Sequence, residues 1–120
     1  MKLHASGEDY LEAVLILHRH KGVVRSIDIV RHLEVSKPCV SHAVATLRDG
    51  GFLAVDDDYY LHLTDVGQEV AERVYEKHRF FTDWLIRIGV SPLQAEEDAC
   101  KIEHVISEES FQRLKEVARQ

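Results

Sequence analysis

The stretch that decides the fold is residues 36–48, which read SKPCVSHAVATLR. Ser36 is a favoured helix N-cap, and Pro38 is tolerated in the first turn because the first N–H groups of a helix have no intrahelical partner. The apolar residues that recur at helical spacing are Val40, Val44 and Leu47. This pattern predicts a helix with one buried face and one polar face.

A second helix is predicted immediately before this stretch. Residues 26–33 read SIDIVRHL, with Ser26 as the expected N-cap and enough apolar positions for two turns of buried helix. Only Glu34 and Val35 separate the two segments, which predicts a tight turn. Two helices joined by so short a turn are typical of a helix-turn-helix, although an ordinary helical hairpin with solvated polar residues is the alternative.

The residues that follow favour the helix-turn-helix. Glycines at 50 and 51 end the helix, and residues 52–55 (FLAV) and 59–63 (YYLHL) predict a β-hairpin around Asp56, Asp57 and Asp58. A helix-turn-helix followed by a hairpin is a winged helix. Because three aspartates are repelled by phosphate, we do not expect the hairpin tip to grip DNA strongly.

Charge is divided unevenly along the 120 residues. Residues 1–48 hold seven Lys and Arg against five Asp and Glu, whereas residues 49–120 hold eight against sixteen. The first part is therefore the candidate DNA-binding face, despite a net charge of −6. The polar candidates for contact with a major groove are Ser36, Lys37, Pro38, Ser41, His42 and Thr46.

The rest of the chain is predicted to be helical. Thr64 is expected to cap a long helix that reaches about Ile88, with Glu72 and Glu76 facing Arg79 on its outside. The residues expected along its buried side are Val66, Val70, Val74, Phe81, Leu85 and Ile88. Ser91 and Pro92 start the next helix, and Ser107 precedes a last amphipathic helix. The fold class is therefore mostly α, with an N-terminal winged helix-turn-helix domain at residues 1–63 and a helical domain at 64–120. That last helix either covers the core or forms a dimer face.

Metal-ligand residue types recur at helix-face spacing. Residues 97–107 read EDACKIEHVIS, which places Cys100, Glu103 and His104 at i, i+3 and i+4 on one face, as half of a metal site. Asp9 and Glu12 share one face of the first helix, although acids are also common in first turns. A lone histidine such as His78 is more often a partly buried core residue.

At this point the sequence resembles the diphtheria toxin repressor family of metal-dependent repressors, and most of all its short manganese transport regulators. The motifs that carry the resemblance, all in family order, are EDYLE (residues 8–12), VSKPCVS (35–41), LTDVG (63–67), KHR (77–79) and ACKIEHVIS (99–107). The resemblance implies a homodimeric, metal-activated transcriptional repressor that binds operator DNA and dimerises through its C-terminal helices. The metal ligands that it implies are Asp9, Glu12, His78, Cys100, Glu103 and His104.

Two departures from the family pattern leave the metal open. Manganese members have a carboxylate at the position of Cys100, and iron members have methionine at the position of Asp9. Oxygen ligands suit Mn(II) or Fe(II), whereas a thiolate favours Fe(II), Co(II) or Zn(II). Mn(II) and Fe(II) are therefore both candidates, with Zn(II) or Co(II) as further occupants, and the number of ions is open. The chain is also expected to lack the extra C-terminal domain of the longer iron members.

Other classes of function receive less support. A winged-helix regulator without a metal effector is the main alternative. A metallohydrolase is not expected, because Glu103 and His104 lack the paired histidines of a metalloprotease helix and no nucleophile motif or phosphate loop accompanies them. Neither a bilayer-spanning run nor a signal peptide is apparent, so we expect a cytoplasmic protein with no membrane partner and no small-molecule substrate.

Overall fold

The computed structural model of the protein describes residues 5–118. Its elements, in chain order, are α1 (Ala5–Lys21), α2 (Ser26–Leu33), α3 (Lys37–Asp49), β1 (Leu53–Val55), β2 (Leu61–Leu63), α4 (Asp65–Arg87), α5 (Pro92–Val105) and α6 (Glu108–Ala118). The chain divides between Arg73 and Val74 into two compact units, here called the N-terminal unit and the C-terminal unit. The predicted fold class, a mostly helical chain with a winged helix-turn-helix first, is confirmed.

The N-terminal unit is built around α1, α2 and α3. The side chains that are almost completely buried in it are Leu11, Val14, Leu15, Val24, Ile29 and Val40. The predicted turn between α2 and α3 is made by Glu34, whose φ of 56° places it in the left-handed region. The polar face of α3 is left exposed because its inward residues, led by Val40 and Leu47, supply the buried contacts.

The start of α2 differs from the prediction. Arg25 is the N-cap and Ser26 is the first helical residue, so the expected serine cap is wrong. The carboxylate of Asp28, at the third helical position, instead bonds back to the N-cap residue, since it accepts a hydrogen bond from the Arg25 backbone N–H at 2.9 Å. It also accepts one from Lys21 Nζ at 2.7 Å. These hydrogen bonds, that of Lys21 first, hold the pKa of Asp28 below its ordinary value.

The lowered pKa of Asp28 predicts a pH-dependent contribution to stability. A carboxyl whose pKa is lower in the folded state stabilises the protein above its ordinary pKa of about 4, and this is lost as the pH falls through the folded value. Asp28→Asn should therefore cost about 1–2 kcal/mol at pH 7 and nothing once both states are protonated. Urea unfolding from pH 2 to 8 checks this, with Asp57→Asn as the exposed control; equal loss at all pH values would contradict it.

The wing is a short antiparallel hairpin in which Leu53 pairs with Leu63 and Val55 pairs with Leu61. The backbone N–H of Leu61 also donates to the Val24 carbonyl at 2.7 Å, which ties the hairpin to the segment between α1 and α2. The strands are shorter than the predicted runs because residues 56–60 form the turn. The wing is therefore a three-residue ladder fastened to the helical part of its own unit.

The passage from the wing into α4 depends on two residues of the LTDVG motif. Thr64 Oγ1 donates to the Gly51 carbonyl at 2.7 Å and accepts from the Gly67 N–H at 3.1 Å, so the predicted threonine cap is present. The Thr64 N–H donates to the Phe52 carbonyl at 3.2 Å. A Cβ atom added to Gly67 would lie 2.0 Å from that same Phe52 oxygen. Close approach of α4 to the wing therefore requires glycine at position 67.

The C-terminal unit has an aromatic core. Phe81 and Phe111 are buried in it, and Phe80 and Trp84 pack against them. Two residues of the predicted buried stripe of α4, Val66 and Ile88, are instead 54% and 65% exposed. No helix within residues 5–118 is long and apolar enough to cross a membrane.

Candidate metal centre and nucleic-acid interface

The exposed face of α3 carries all the residues predicted to contact DNA. Ser36 is the N-cap and its Oγ accepts from the Cys39 backbone N–H at 3.3 Å, while Pro38 occupies the first turn. Thr46 Oγ1 donates back to the His42 carbonyl at 2.9 Å, which fixes the threonine side chain on the helix. The residues predicted for this face are all exposed: Ser36, Lys37, Pro38, Ser41, His42 and Thr46.

The acidic wing tip does not present three equivalent carboxylates. Asp56 Oδ1 accepts from the backbone N–H groups of Asp58 and Tyr60, each at 2.9 Å. Asp56 Oδ2 lies 2.8 Å from His62 Nε2. The hydrogen bond to His62 is the largest reason why the pKa of Asp56 is lowered. Asp56 therefore organises the turn, and only Asp57 and Asp58 remain as unengaged acids of this tip among the described residues.

Glu103 is the centre of the ligand cluster in the C-terminal unit. Its side chain is completely buried, and its Oε2 lies 2.9 Å from Nδ1 of His78. Its Oε1 lies 3.4 Å from Nε2 of His104. The helix α5 buries Glu103 because Ala95, Ala99 and Glu103, spaced by four residues, form its inward stripe. A carboxylate thus occupies a position where an apolar side chain would ordinarily sit.

His104 and Cys100 complete this face of α5. A ring nitrogen of His104, Sγ of Cys100 and a carboxylate oxygen of Glu103 lie within 4.8 Å of one another. The His104 side chain is 9% exposed, whereas Cys100 is solvent-exposed. The spacing predicted from the sequence is therefore present, and His78 of α4 joins it through Glu103. We call His78, Cys100, Glu103 and His104 the α4–α5 cluster.

The α4–α5 cluster fits a divalent transition metal. Within residues 5–118, Oε1 of Glu103 is one of the few buried side-chain oxygens without a hydrogen bond. Burying a charged oxygen without a hydrogen bond costs free energy of folding, unless a cation or another hydrogen-bond donor contacts that oxygen. Imidazole nitrogen, thiolate sulfur and carboxylate oxygen are all ligands of first-row metals. The donor types and the unsatisfied oxygen both agree with metal binding.

The other predicted ligands, Asp9 and Glu12, lie in the N-terminal unit. They stand three residues apart on α1, on one face of the helix, and both are partly buried. Whether they share an ion with the α4–α5 cluster stays a prediction. Residues 1–4 and 119–120, at the two ends of the predicted domains, lie outside the described residues.

Glu96, an acid near the cluster, was not predicted as a site residue. Glu96 Oε1 lies 3.7 Å from Nε2 of His78, and the Glu96 side chain is 68% exposed. Its spacing of seven residues before Glu103, two helical turns on the same face, could have identified it. The residues next to His78 in the sequence do not identify it as a ligand, because its carboxylate partner Glu103 is 25 residues away.

The fold and the cluster together define a class of proteins: winged-helix proteins whose following helices carry transition-metal ligand types. Residues 2–61 match the family model of the iron dependent repressor N-terminal DNA binding domain. Residues 64–120 match the model of the iron dependent repressor metal binding and dimerisation domain. The chain belongs to the iron-dependent repressor family, as the resemblance to the diphtheria toxin repressors predicted.

Individual relatives agree with this assignment. The transcriptional regulator MntR of Escherichia coli O6:H1 is 33% identical over 87% of this chain and 67% of its own length. MntR of Shouchella clausii is 33% identical over 91% of this chain and 76% of its own length. The solved structure of the manganese regulator SloR, 27% identical, superimposes with a TM-score of 0.85 over 94% of this chain and 53% of that one. The chain therefore spans about half the length of that solved relative.

Proposed function

We propose that this protein is a metal-ion-activated, DNA-binding transcriptional repressor that controls metal-ion homeostasis, with Mn(II) or Fe(II) as corepressor. The observation that carries the proposal is the buried carboxylate of Glu103, placed between two histidines and beside a thiol in a chain that begins with a winged helix. A sensor of this kind acts in the cytoplasm and performs no catalysis. Its family membership supports the DNA-binding and metal-binding parts of the proposal.

The proposed ligand set combines both units. His78, Cys100, Glu103 and His104 would hold the ion in the C-terminal unit, and Asp9 and Glu12 would add oxygen ligands from α1. A divalent ion supplies positive charge that favours the ionised form of these carboxylates. Cys100 adds a soft donor to a set otherwise made of nitrogen and oxygen, so Zn(II) and Co(II) are further candidates.

The proposed DNA contacts lie on α3. Lys37 and the hydroxyl groups of Ser36 and Ser41 suit phosphate oxygens, while His42 and Thr46 suit base edges. Pro38 shapes the first turn that presents them. Under this proposal the predicted domains, 1–63 and 64–120, divide the work into DNA reading and metal binding, with helix α1 contributing to both.

Dimerisation through the C-terminal helices is the remaining part of the proposal. Several apolar side chains of the C-terminal unit are exposed in the single chain: Ile86, Ile88, Leu93, Val105 and Val117. In the proposed dimer, we expect the subunit interface to bury some of these apolar side chains. A symmetric dimer would present two α3 helices to successive major grooves of an operator, which is the usual geometry for helix-turn-helix proteins.

The coupling proposed between metal and DNA is electrostatic. Without a cation, ionised Asp9, Glu12 and Glu103 repel one another if they approach, and α1 with its DNA-reading unit keeps its freedom. When these carboxylates coordinate one cation, α1 and its DNA-reading unit become less free to move. The two α3 helices of a dimer are then fixed in an orientation that can bind the operator. A coupling of about 1–3 kcal/mol, or 5- to 150-fold in affinity, is typical of such linkage.

Fluorescence anisotropy with an operator duplex, titrated anaerobically with Mn(II), Fe(II), Co(II) or Zn(II), tests the proposed function. We expect metal to raise the operator affinity of the wild type, and Asp9→Ala and Glu103→Ala to abolish that increase. Sedimentation and circular dichroism should show that both variants remain folded dimers. Glu97→Ala, an exposed acid on the same helix α5, is the matched control.

Two outcomes would contradict the proposal in different ways. If wild-type protein binds the operator equally well with and without metal, the alternative of a regulator without a metal effector is favoured. If Asp9→Ala keeps its full metal response while Glu103→Ala loses it, the ligand set is confined to the C-terminal unit. The metal that acts at the lowest free concentration identifies the corepressor class.

A further inference from the structure

A cleft lies between α4 and α6 within the C-terminal unit. Its volume is about 250 Å³, and the side chains that line it are Phe80, Asp83, Trp84, Arg87, Lys115 and Ala118. The first four stand at helical spacing on one stripe of α4, and the last two lie about one turn apart near the end of α6. The described lining includes no residue of the α4–α5 cluster, so the cleft is separate from the candidate metal centre.

The wall that α4 gives to this cleft is aromatic and is held in place by the core. The ring centroids of Phe80 and Trp84 lie 5.7 Å apart. The Phe80 ring also meets the rings of Phe81 and Phe111 edge-on, with centroids 5.1 and 5.4 Å away. Phe80 and Trp84 are only partly buried by these contacts, so ring surface is left for the cleft. An apolar group that enters would therefore pack on a preformed wall.

Lys115 brings a fixed cation to the other side of the cleft. Its Nζ lies 2.8 Å from Oε1 of Glu76, and its side chain is 19% exposed. The same ammonium group lies 4.9 Å from the centroid of the Phe111 ring. Because an ammonium group has three donors, Lys115 can bond to a further acceptor without giving up Glu76.

Asp83 and Arg87 have the spacing of an intrahelical ion pair but do not form one. They stand at i and i+4 on α4, where an aspartate and an arginine commonly pair. Both are exposed, and neither has a hydrogen bond or an ion pair with another side chain among residues 5–118. Two opposite charges therefore line the cleft and leave each other without a partner.

This lining narrows the chemistry of a ligand. A simple anion such as phosphate has no apolar part for the aromatic wall and is repelled by Asp83, whereas an apolar amine leaves Arg87 and Lys115 without an opposite charge. The volume is below that of pockets for drug-sized ligands, which excludes a nucleotide. A free α-amino acid combines a carboxylate, an ammonium group and a side chain in one small molecule. Only such a zwitterion uses all three kinds of lining group.

We propose that the cleft binds a free α-amino acid with an apolar side chain. Its carboxylate contacts Arg87 and Lys115, its ammonium group contacts Asp83, and its side chain packs on the rings of Phe80 and Trp84. The inference goes beyond the proposed function and does not depend on it. Because the ligand touches both helices, its binding stabilises the packing of α6 on α4.

Trp84 reports on the cleft directly, because it is the only tryptophan in the sequence. The protein, metal-free and metal-loaded, is titrated with L-phenylalanine while tryptophan emission is excited at wavelengths that phenylalanine does not absorb. We expect a saturable change in emission with an affinity of about 1 mM or tighter. The melting temperature should rise as the ligand saturates.

Three analogues each remove one feature of phenylalanine. L-alanine lacks the apolar side chain, 3-phenylpropionate lacks the ammonium group, and phenethylamine lacks the carboxylate. Each should bind at least about tenfold more weakly than L-phenylalanine. Equal affinities for phenylalanine and phenethylamine would deny a role to the two cations and overturn the proposal.

Asp83→Asn and Arg87→Gln show which charge each side chain recognises. We expect Asp83→Asn to weaken L-phenylalanine about tenfold without weakening 3-phenylpropionate. Arg87→Gln should weaken both of these ligands and spare phenethylamine. The controls are Asp57→Asn and Arg113→Gln, which make equal charge changes at exposed positions outside the cleft and should bind like the wild type. If either cleft variant lost all the ligands alike, the assigned contacts would be wrong.

Ala118→Leu tests the position of the ligand without removing a charge. The larger side chain should occupy the cleft and abolish binding, while the melting temperature without ligand stays that of the wild type, because position 118 is exposed. Undiminished binding by this variant would place the ligand elsewhere.

Two results with the wild type would overturn the proposal outright. One is emission from Trp84 that does not respond to L-phenylalanine. The other is emission that changes on dilution of the protein but not with the amino acid, which would assign the cleft to contact with a second copy of the chain. Since none of these measurements uses DNA or requires a metal response, failure of the proposed function would leave their outcome unaffected.

Discussion

Gly67→Ala is expected to destabilise the N-terminal unit by more than about 3 kcal/mol, the largest stability effect that we predict. The new Cβ would lie 2.0 Å from the Phe52 carbonyl oxygen, well inside contact distance. That oxygen cannot simply withdraw, because it accepts the Thr64 N–H at 3.2 Å and belongs to a residue that is 7% exposed. Either the first turn of α4 or the base of the wing must move.

Urea unfolding followed by circular dichroism measures the effect of Gly67→Ala. The matched control is Gly22→Ala, which places the same methyl group at a φ of 85° with no atom within 4 Å of it. The control should cost only about 1 kcal/mol, the conformational penalty of a left-handed alanine. If the two variants lose similar amounts of unfolding free energy, the contact with Phe52 does not account for the destabilisation by Gly67→Ala.

Glu103→Gln is expected to lower metal affinity by about 100-fold or more while the protein stays folded. Glutamine has nearly the same shape, so it can still accept a hydrogen bond from His78. It lacks the negative charge, however, that the proposed metal site requires at this buried position. Burying a charged group costs free energy of folding, and glutamine avoids that cost. Without metal, the free energy of unfolding of Glu103→Gln should therefore equal the wild-type value or exceed it by up to about 1 kcal/mol.

Calorimetric titration with Mn(II) or Zn(II) and thermal unfolding of the metal-free protein measure the two effects. Glu97→Gln is the control, since it makes the same chemical change at an exposed position of α5. Undiminished affinity in Glu103→Gln would remove Glu103 from the ligand set. Weaker binding accompanied by a large loss of stability would mean that the carboxylate acts mainly by holding α4 and α5 together.

The parts of the fold that could be predicted are those decided by neighbouring residues. Ser36, Pro38 and the helical spacing of Val40, Val44 and Leu47 are sufficient to predict α3, and the two glycines that follow end the helix. Thr64 was predicted as a cap for the same reason, because a threonine side chain reaches only the next turn. The cluster on α5 was likewise found from its i, i+3 and i+4 spacing.

The parts that could not be predicted depend on residues far apart in the sequence. Helical spacing places Glu72 and Glu76 with Arg79 on the outer face of α4, but it does not identify the partners of the two acids. Glu72 accepts from Arg19 and Glu76 accepts from Lys115, 53 and 39 residues away. The apolar repeat of α4 likewise continues to Val66 and Ile88 although the single chain buries neither. The inward turn of Asp56 depends on His62 across the hairpin, which turn preferences alone do not indicate.

Exposure differs across the α4–α5 cluster, since Glu103 is buried and Cys100 is open to solvent. The cluster therefore has one donor that reagents can reach. A thiolate that shares its electron pair with a metal is a poorer nucleophile than a free one. If Cys100 belongs to the ligand set, as proposed, the rate at which it reacts with an alkylating reagent will depend on whether an ion is bound. The chain would then carry its own chemical reporter of metal occupancy, readable without DNA, with Cys39→Ser removing the second exposed thiol.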